Sequence, residues 1–309
     1  MPLPSDSNDA WRVGNVVLRI CYRGDRARFE REALVTAALP ASAKVPRLLD
    51  YGRDGELAWH VTVWVNGVPL GVAWTALHAD DRRRAITQLG EALAELNAHA
   101  FPPAVRAALG APRPIGDLSP VAVVGADPNP PPLPRARMLL GTAARMPGVD
   151  RGVIERVAAR FDELETIDPL GERALAERDG GAVVHGDAHP LNVLWDERVV
   201  AVLDWEWVRL GAPELEIEPF LYRGYESNSS LMADSQRIIG WLADTHPSAF
   251  AGPDLARRVW LIELAYTLRE LFVCPPDNPE HQLSMDHPLR RLRRIVMGCQ
   301  HLEGILPRT

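Results

Sequence analysis

Short apolar runs separated by turn residues mark the first part of the chain, and apolar residues at helical spacing dominate the rest. Residues 11–13 and 15–20, on either side of a glycine, have the β-branched composition of two strands. A further strand is predicted at Trp59–Val65, and Asn66–Gly67 ends it. Between them, Arg28–Leu39 has the spacing of an amphipathic helix. The pattern predicts a small sheet accompanied by one helix.

The later part of the chain is predicted to be mainly helical. Asp80 and Asp81 are expected to cap a helix that runs to Ala98, along which leucine and isoleucine recur at helical spacing. Arg151–Leu164 predicts another helix. A third, capped by Asp254 and reaching Phe272, has apolar residues on more than one face, so we expect it at the centre of the helical part.

Residues 101–150 interrupt the helical pattern. Proline is dense from Pro112 to Pro134 and includes the run PNPPPLP. Such a composition favours extended, irregular backbone over helix. The segment is also longer than a plain connection between two elements. It is therefore predicted to be an insertion.

Candidate chemistry is concentrated in residues 183–207, VVHGDAHPLNVLWDERVVAVLDWEW. Three short β-branched runs predict buried strands, at Val183–Val184, Val193–Trp195 and Val199–Leu203. The last two are expected to form a hairpin, with Asp187 and Asn192 in a loop at one end and Asp204 pointing back from the exit of the second strand. Two carboxylates and an amide oxygen that converge in a cleft make an oxygen-rich site suited to Mg²⁺.

Phosphoryl transfer requires such a set, because one carboxylate orients or deprotonates an acceptor hydroxyl while metal ions neutralise charge on the phosphates. Two other interpretations exist. The three polar residues could be unrelated turn formers, or His185, Asp187 and His189 could chelate a transition metal for hydrolysis. The remaining seven histidines are scattered without ligand spacing. We therefore expect His185 to be a packed side chain that braces the loop.

The stretch HGDAHPLN…LDWE resembles the catalytic loop and the metal-binding aspartate of the aminoglycoside phosphotransferase and choline kinase family, a branch of the protein-kinase-like fold. The resemblance implies that Asp187 is the catalytic base and that Asn192 and Asp204 bind Mg²⁺. It also implies an α+β, two-lobed architecture. An antiparallel-sheet N-lobe at 1–66 would bind nucleotide, and a larger, mainly helical C-lobe at 67–309 would hold the catalytic and acceptor sites.

Members of this family normally present a strand lysine that holds the α/β-phosphates and pairs with a helix glutamate. Among the 34 basic residues here, only Lys44 is a lysine, and it lies in the loop ASAKVP. The resemblance places Arg19 at the lysine position and Glu32 at that of its partner. A guanidinium can grip phosphate with two hydrogen bonds but is bulkier than an ammonium. A surface arginine on the strand is the alternative.

The resemblance also implies further nucleotide contacts. Ser7 lies in a polar, turn-like segment where the family has its phosphate-covering loop, so its hydroxyl and nearby backbone N–H groups could contact the β/γ-phosphates. Val63 and Val65 lie at the expected hinge, whose backbone groups bind adenine.

Acidic residues beyond the motif suggest two further roles. Glu216 approximately matches a family aspartate that braces the catalytic loop. Glu206 and Glu218 could attract a substrate amine, although solvated acidic faces are common. The insertion at 101–150 is either an acceptor-side lid, as the family suggests, or a variable surface loop.

Composition limits the class of protein. A chain of 309 residues with 47% apolar content can build two lobes with separate cores. Three widely spaced cysteines do not suggest a disulfide framework or a zinc site. A net charge of −7 argues against nucleic acid and mildly favours a neutral or cationic substrate. With no membrane-length apolar run and no signal-like N-terminus, we expect a cytoplasmic protein without a membrane partner. We expect it to be a monomer or a homodimer.

The sequence therefore predicts a Mg²⁺-dependent small-molecule kinase. It would transfer the γ-phosphoryl of ATP or GTP to a hydroxyl of an antibiotic, amino alcohol or sugar. The alternative is a catalytically weak nucleotide-binding protein with a binding or regulatory role, because the strand lysine is missing and the phosphate-covering segment is short.

Overall fold

An antiparallel sheet forms the first part of the chain. The computed structural model describes residues 1–3, 9–22, 27–111, 130–169, 180–221, 229–276 and 287–307. The five strands are β1 (Pro2–Leu3), β2 (Asp9–Val13), β3 (Val16–Cys21), β4 (Leu48–Asp54) and β5 (Leu57–Val63). They are arranged in the order β1-β2-β3-β5-β4 with every neighbouring pair antiparallel. Gly14, at a φ of +60°, allows the tight turn between β2 and β3.

Helix α1 (Ala27–Ala38) packs on this sheet with a partly charged face. Ala37 of this helix is exposed, whereas the charged residues Arg28 and Glu32 are buried. Charged groups are stable in such a position only when they are paired. Glu32 pairs with Arg19 of β3, and Arg28 pairs with Glu206.

The rest of the described chain is mainly helical. Its helices are α2 (Leu70–Ala73), α3 (Ala79–Ala98), α4 (Pro103–Gly110), α5 (Leu133–Ala143), α6 (Arg151–Leu164), α7 (Glu218–Leu221), α8 (Ser229–Thr245), α9 (Leu255–Val273), α10 (Pro288–Ile295) and α11 (Gln300–Glu303). Helix α9 is buried on nearly all sides and contacts α5, α6 and α10, so its predicted central position is confirmed. Among the residues placed by the structure, no helix has both the length and the apolar character needed to cross a membrane.

The sequence predicted where the helices begin more accurately than which side chains cap them. Asp150 caps α6 by accepting a hydrogen bond from the Gly152 N–H. Asp254 precedes α9 but makes no side-chain cap bond. Helix α3 begins after His78, so the two predicted capping aspartates lie inside its first turn. There they still interact favourably with the positive end of the helix dipole.

The segment 101–150 is more helical than its proline content suggested. Helices α4 and α5 both lie within it, and residues 112–129 are outside the described residues. Both helices have a proline in the first turn, where the missing N–H removes no helical hydrogen bond. The prediction of irregular backbone is therefore wrong for 103–110 and 133–143.

Two small sheets position the segment with the candidate chemistry. Strands β6 (Val68–Pro69), β8 (Val193–Trp195) and β9 (Val199–Val202) form one antiparallel sheet, in the order β6-β8-β9. Strands β7 (Ala182–Val184) and β10 (Arg209–Gly211) form the other. The predicted hairpin is the β8–β9 pair, and the loop between β7 and β8 carries the HGDAHPLN motif.

Candidate active site

The loop between β7 and β8 holds Asp187 in a fixed position. The Asp187 N–H donates to His185 Nδ1 at 3.2 Å, and the Asp187 carbonyl accepts from the His189 N–H at 2.9 Å and from Asn192 Nδ2 at 3.0 Å. Asn192 Nδ2 also lies 3.3 Å from Asp187 Oδ2. The side chain of Asp187 is only slightly exposed. The backbone and one carboxylate oxygen are thus held before any substrate binds.

His185 links this loop to the strand that leads to Asp204. Its Nε2 donates to the Leu203 carbonyl at 3.0 Å, because Nδ1 already accepts from the Asp187 N–H. Burial lowers the pKa of His185 to about 4, so the ring is neutral near pH 7. Both ring nitrogens are engaged, which disfavours the alternative in which His185 ligates a transition metal. The side chain braces the loop, as the sequence predicted.

Glu216 supports the loop from behind. One carboxylate oxygen accepts the His185 N–H at 2.7 Å and the other accepts the Gly186 N–H at 3.2 Å. Asn97 Nδ2 lies 3.5 Å from Oε1 and donates to the Val183 carbonyl at 2.8 Å. The bracing position predicted for Glu216 is therefore confirmed. Burial raises the pKa of Glu216 to about 7, despite the hydrogen bonds that favour its ionised form.

Replacing Glu216 by Gln is expected to change how stability depends on pH. The folded state holds the Glu216 proton more tightly than the unfolded chain does, where a glutamate titrates near 4.5. Its contribution to the free energy of unfolding is therefore largest in acid and is lost as pH rises through about 7. We expect the Tm of the variant minus that of the wild type to rise by several degrees between pH ~5 and ~8. Thermal unfolding of both proteins across this pH range measures the difference in Tm. A difference that does not depend on pH would contradict the raised pKa of Glu216.

Asp204 lies two residues after the end of β9. The Leu203 N–H donates to the Asn192 carbonyl at 2.7 Å, which ties the exit of β9 to the loop that carries Asp187. Asp204 has left-handed backbone angles, φ +63° and ψ +62°. Burial, followed by the charge of Glu206, raises the pKa of Asp204 well above its ordinary value, although Arg19 opposes this shift. An electronegative position of this kind favours a bound cation.

Arg19 projects from β3 into a cluster of carboxylates. Its Nη1 lies 2.7 and 2.8 Å from the two oxygens of Glu32, and its Nη2 lies 3.0 Å from Asp204 Oδ1 and 3.7 Å from Glu206 Oε2. The side chain is 15% exposed, so the alternative of a surface strand arginine is wrong. Burial alone would lower the pKa of Arg19, but the three carboxylates outweigh it and raise the pKa, so the guanidinium is always charged.

Lys44 has a different environment. Its Nζ donates to the Val199 carbonyl at 3.0 Å, and its own carbonyl accepts the Val202 N–H at 2.8 Å. The chain's single lysine therefore fastens the segment after α1 to strand β9. It lies outside the sheet that carries Arg19, as expected from its position in a loop.

The remaining predicted site residues are the two hinge valines, Ser7 and the two acidic residues Glu206 and Glu218. The Val63 N–H donates to the Arg47 carbonyl at 2.9 Å at the end of β5, and Val65 follows in the connection to β6. Ser7 lies outside the described residues. Glu206 and Glu218 are both buried, at 3% and 1% exposure.

Arg28 is a residue that the sequence analysis missed. Its Nε lies 3.5 Å from Glu206 Oε2, and its side chain is 8% exposed. One signal was present in the sequence: Arg28 is four residues before Glu32, so both share a face of α1.

Comparison with known proteins agrees with this geometry. Residues 2–252 match the family model described as "Phosphotransferase enzyme family". Aminoglycoside phosphotransferase APH(2'')-Ib with bound ADP superimposes with a TM-score of 0.61 at 11% identity, covering 95% of this chain and 91% of that one. A thermostable mutant of aminoglycoside phosphotransferase APH(4)-Ia, in a ternary complex with ADP and hygromycin B, gives 0.58 at 18% identity, covering 96% and 92%. No curated protein matches the chain.

At these identities the structural matches establish the fold, and the family match extends over most of the chain. The predicted α+β, kinase-like architecture is thereby confirmed, with an antiparallel sheet in the N-terminal part and a mainly helical remainder. The predicted enzyme class, a phosphotransferase with a hydroxyl acceptor, follows from the same family. The chain therefore belongs to the phosphotransferase enzyme family and has the kinase-like fold of the aminoglycoside phosphotransferases.

Proposed function

We propose that this protein transfers the γ-phosphoryl group of ATP or GTP to a hydroxyl of a small molecule, with Mg²⁺ as cofactor. The nucleotide would bind to an N-lobe at 1–66, and the acceptor to the C-lobe at 67–309. One observation carries the proposal. Asp187, Asn192 and Asp204 are held together on one side of a cluster whose other side is the Arg19–Glu32 pair.

Asp187 is suited to accept or orient the proton of the acceptor hydroxyl. Its backbone is fixed by three hydrogen bonds, and Asn192 directs one of its carboxylate oxygens. Such a fixed carboxylate requires little rearrangement when the acceptor arrives, which is the source of much of the rate gain in positioned acid–base catalysis.

Asp204 and Asn192 would hold Mg²⁺. The Asn192 Nδ2 group donates to Asp187, so its amide oxygen is the atom left to act as a metal ligand. Within the described ranges, no group of three or more His, Cys, Asp or Glu side chains is placed to bind a metal ion. Mg²⁺ suits such a sparse site, because it commonly binds one or two carboxylates together with water and phosphate oxygens. When bound, the ion neutralises the charge on the transferring phosphoryl group.

Arg19 would supply the phosphate contact on the opposite side. Glu32 fixes its Nη1 end, while Nη2 points at Asp204, next to the expected metal position. A guanidinium in this orientation can bind phosphate once Asp204 turns to the cation.

The structural neighbours support a nucleotide donor and a small-molecule acceptor. APH(2'')-IIa, which covers 92% of this chain at a TM-score of 0.61 and 10% identity, was solved in a complex with streptomycin and ATP. We infer that an antibiotic, an amino alcohol or a sugar is the acceptor here. The burial of Glu206 and Glu218 does not favour direct contact between either carboxylate and an acceptor amine.

A thermal-shift titration combined with a nucleotide-consumption assay tests the proposal. ATP and GTP are titrated with and without Mg²⁺, and turnover is then measured against a panel of hydroxyl compounds. We expect Mg²⁺-dependent stabilisation and acceptor-dependent turnover. Binding without turnover across the panel would instead favour the catalytically weak nucleotide-binding protein.

A further inference from the structure

We propose that Glu206, held in place by Arg28, is a positioning residue that fixes the guanidinium plane of Arg19 for phosphate binding. The inference rests on the proposed function and assigns Glu206 to the nucleotide side of the site. The acceptor role that the sequence suggested for Glu206 is the competing assignment.

The geometry places Glu206 between two arginines. Its Oε2 lies 3.7 Å from Arg19 Nη2 and 3.5 Å from Arg28 Nε. Arg28 is itself held, because its Nη2 lies 3.2 Å from Cys21 Sγ and its guanidinium lies 5.9 Å from the Phe29 ring centroid. The carboxylate of Glu206 thus lies against the charge of Arg28 on the side of α1, and Arg19 is the arginine that contacts Asp204.

An arginine at this position needs more support than a lysine does. An ammonium is a compact charge that one carboxylate can anchor, whereas a guanidinium is a planar fork whose orientation decides which phosphate oxygens it reaches. Glu32 holds Nη1 with both of its oxygens, but one carboxylate at one end leaves the other end free to swing. A second carboxylate beside Nη2 fixes the plane.

Glu206 becomes the important partner when the nucleotide binds. In the structure Asp204 is the nearer partner of Nη2, at 3.0 Å against 3.7 Å for Glu206. Once Asp204 serves the metal, Glu206 is the carboxylate that remains beside Nη2. Because Nη2 carries two hydrogens, one can face Glu206 while the other faces a phosphate oxygen.

The charges of the cluster explain the presence of Arg28. Arg19 and Arg28 face three carboxylates, those of Glu32, Asp204 and Glu206. Without Arg28, the buried charge of Glu206 would lie near the phosphates and repel them. With Arg28 alongside, Glu206 can orient Arg19. The two arginines and the three carboxylates together carry one net negative charge, which the cation balances.

A double-mutant cycle on the full-length protein tests the inference. The dissociation constant of AMP-PNP with Mg²⁺ is measured by calorimetry for the wild type, Glu206→Gln, Arg19→Lys and the double variant. We expect Glu206→Gln to weaken binding by about tenfold beside Arg19 but by less than about twofold beside lysine, because only the guanidinium needs the second carboxylate. The KM for the acceptor should not change. Asp234→Asn, which removes another buried carboxylate paired with arginine, is the matched control and should leave nucleotide binding unchanged.

The outcomes of this experiment distinguish failure of the Glu206 inference from failure of the proposed function. An equal loss of affinity in the wild-type and Arg19→Lys backgrounds, no loss in either, or a change confined to the acceptor KM would overturn the inference while leaving the proposed function standing. Failure of the wild type to bind nucleotide would overturn the proposed function, and this inference with it. If Glu206→Gln does not fold, Glu206→Asp, which withdraws the carboxylate by one methylene, should show the same dependence on arginine.

Discussion

Replacing Asp187 by Asn is expected to lower kcat by about 10²–10⁴-fold, the range found when a positioned general base is removed. The substitution is nearly isosteric. The backbone bonds of residue 187 to His185 and His189 do not involve its side chain, and an amide oxygen can still accept from Asn192. The loss should therefore reflect the missing base and not a displaced loop.

Nucleotide binding gives the internal control for this variant. Asp187 is not among the residues proposed to hold phosphate or metal, so affinity for nucleotide with Mg²⁺ should stay close to that of the wild type. Asp196→Asn, in the exposed turn between β8 and β9, removes a carboxylate at the other end of the hairpin and should leave kcat unchanged. Steady-state turnover and calorimetry measure the two properties. Activity close to the wild type in the Asp187 variant would remove it from the mechanism.

Replacing Asp204 by Asn is expected to reduce turnover by about a thousandfold, because metal stabilisation of the transferring phosphoryl group contributes several kcal/mol. This variant should differ from the Asp187 variant in its response to Mg²⁺. With Asp204 removed, Mg²⁺ should no longer increase the thermal stabilisation that nucleotide provides. Asparagine tolerates the left-handed backbone of this position about as well as aspartate does, so the turn should be preserved.

Stability of the Asp204 variant without ligands provides a second readout. The pKa of Asp204 is raised well above its ordinary value, which means that its charge is unfavourable in the folded protein even with Arg19 nearby. We therefore expect the Tm near pH 7 to be equal to or higher than that of the wild type. Asp254→Asn is a matched control, because Asp254 also has a left-handed backbone, with φ +57°, but lies at the start of α9. Unchanged Mg²⁺ dependence in the Asp204 variant would contradict its role as a ligand.

The structure of the segment that carries Asp187 and Asp204 was predictable because its signals are local. The β-branched runs around Asp187 and Asp204 each define a strand, and the residues between them are few enough that the loop must bring the polar groups together. The position of Arg19 opposite Glu32 followed from the family resemblance, and the ion pair in the structure agrees with it.

The surroundings of Glu206 and Arg28 could not be predicted in the same way. From the sequence, an acidic residue after Asp204 is equally able to face solvent, to contact substrate or to form a buried ion pair. Which of these occurs depends on contacts with α1, which is remote in sequence. The apolar pattern of α1 gave no indication that Arg28 is buried, because it identifies only the apolar side chains of a buried face. The face of α1 that meets the site is buried through ion pairs instead.

Transfer of phosphate to the acceptor itself tests the central claim most directly. The protein is incubated with Mg²⁺, a nucleotide labelled at the γ-phosphate and an acceptor that supports turnover, and the products are followed by mass spectrometry and phosphorus NMR. The wild type should place the label on an acceptor hydroxyl, and the Asp187→Asn variant should do so far more slowly. Release of the label only as inorganic phosphate, or equal transfer by both proteins, would contradict the account.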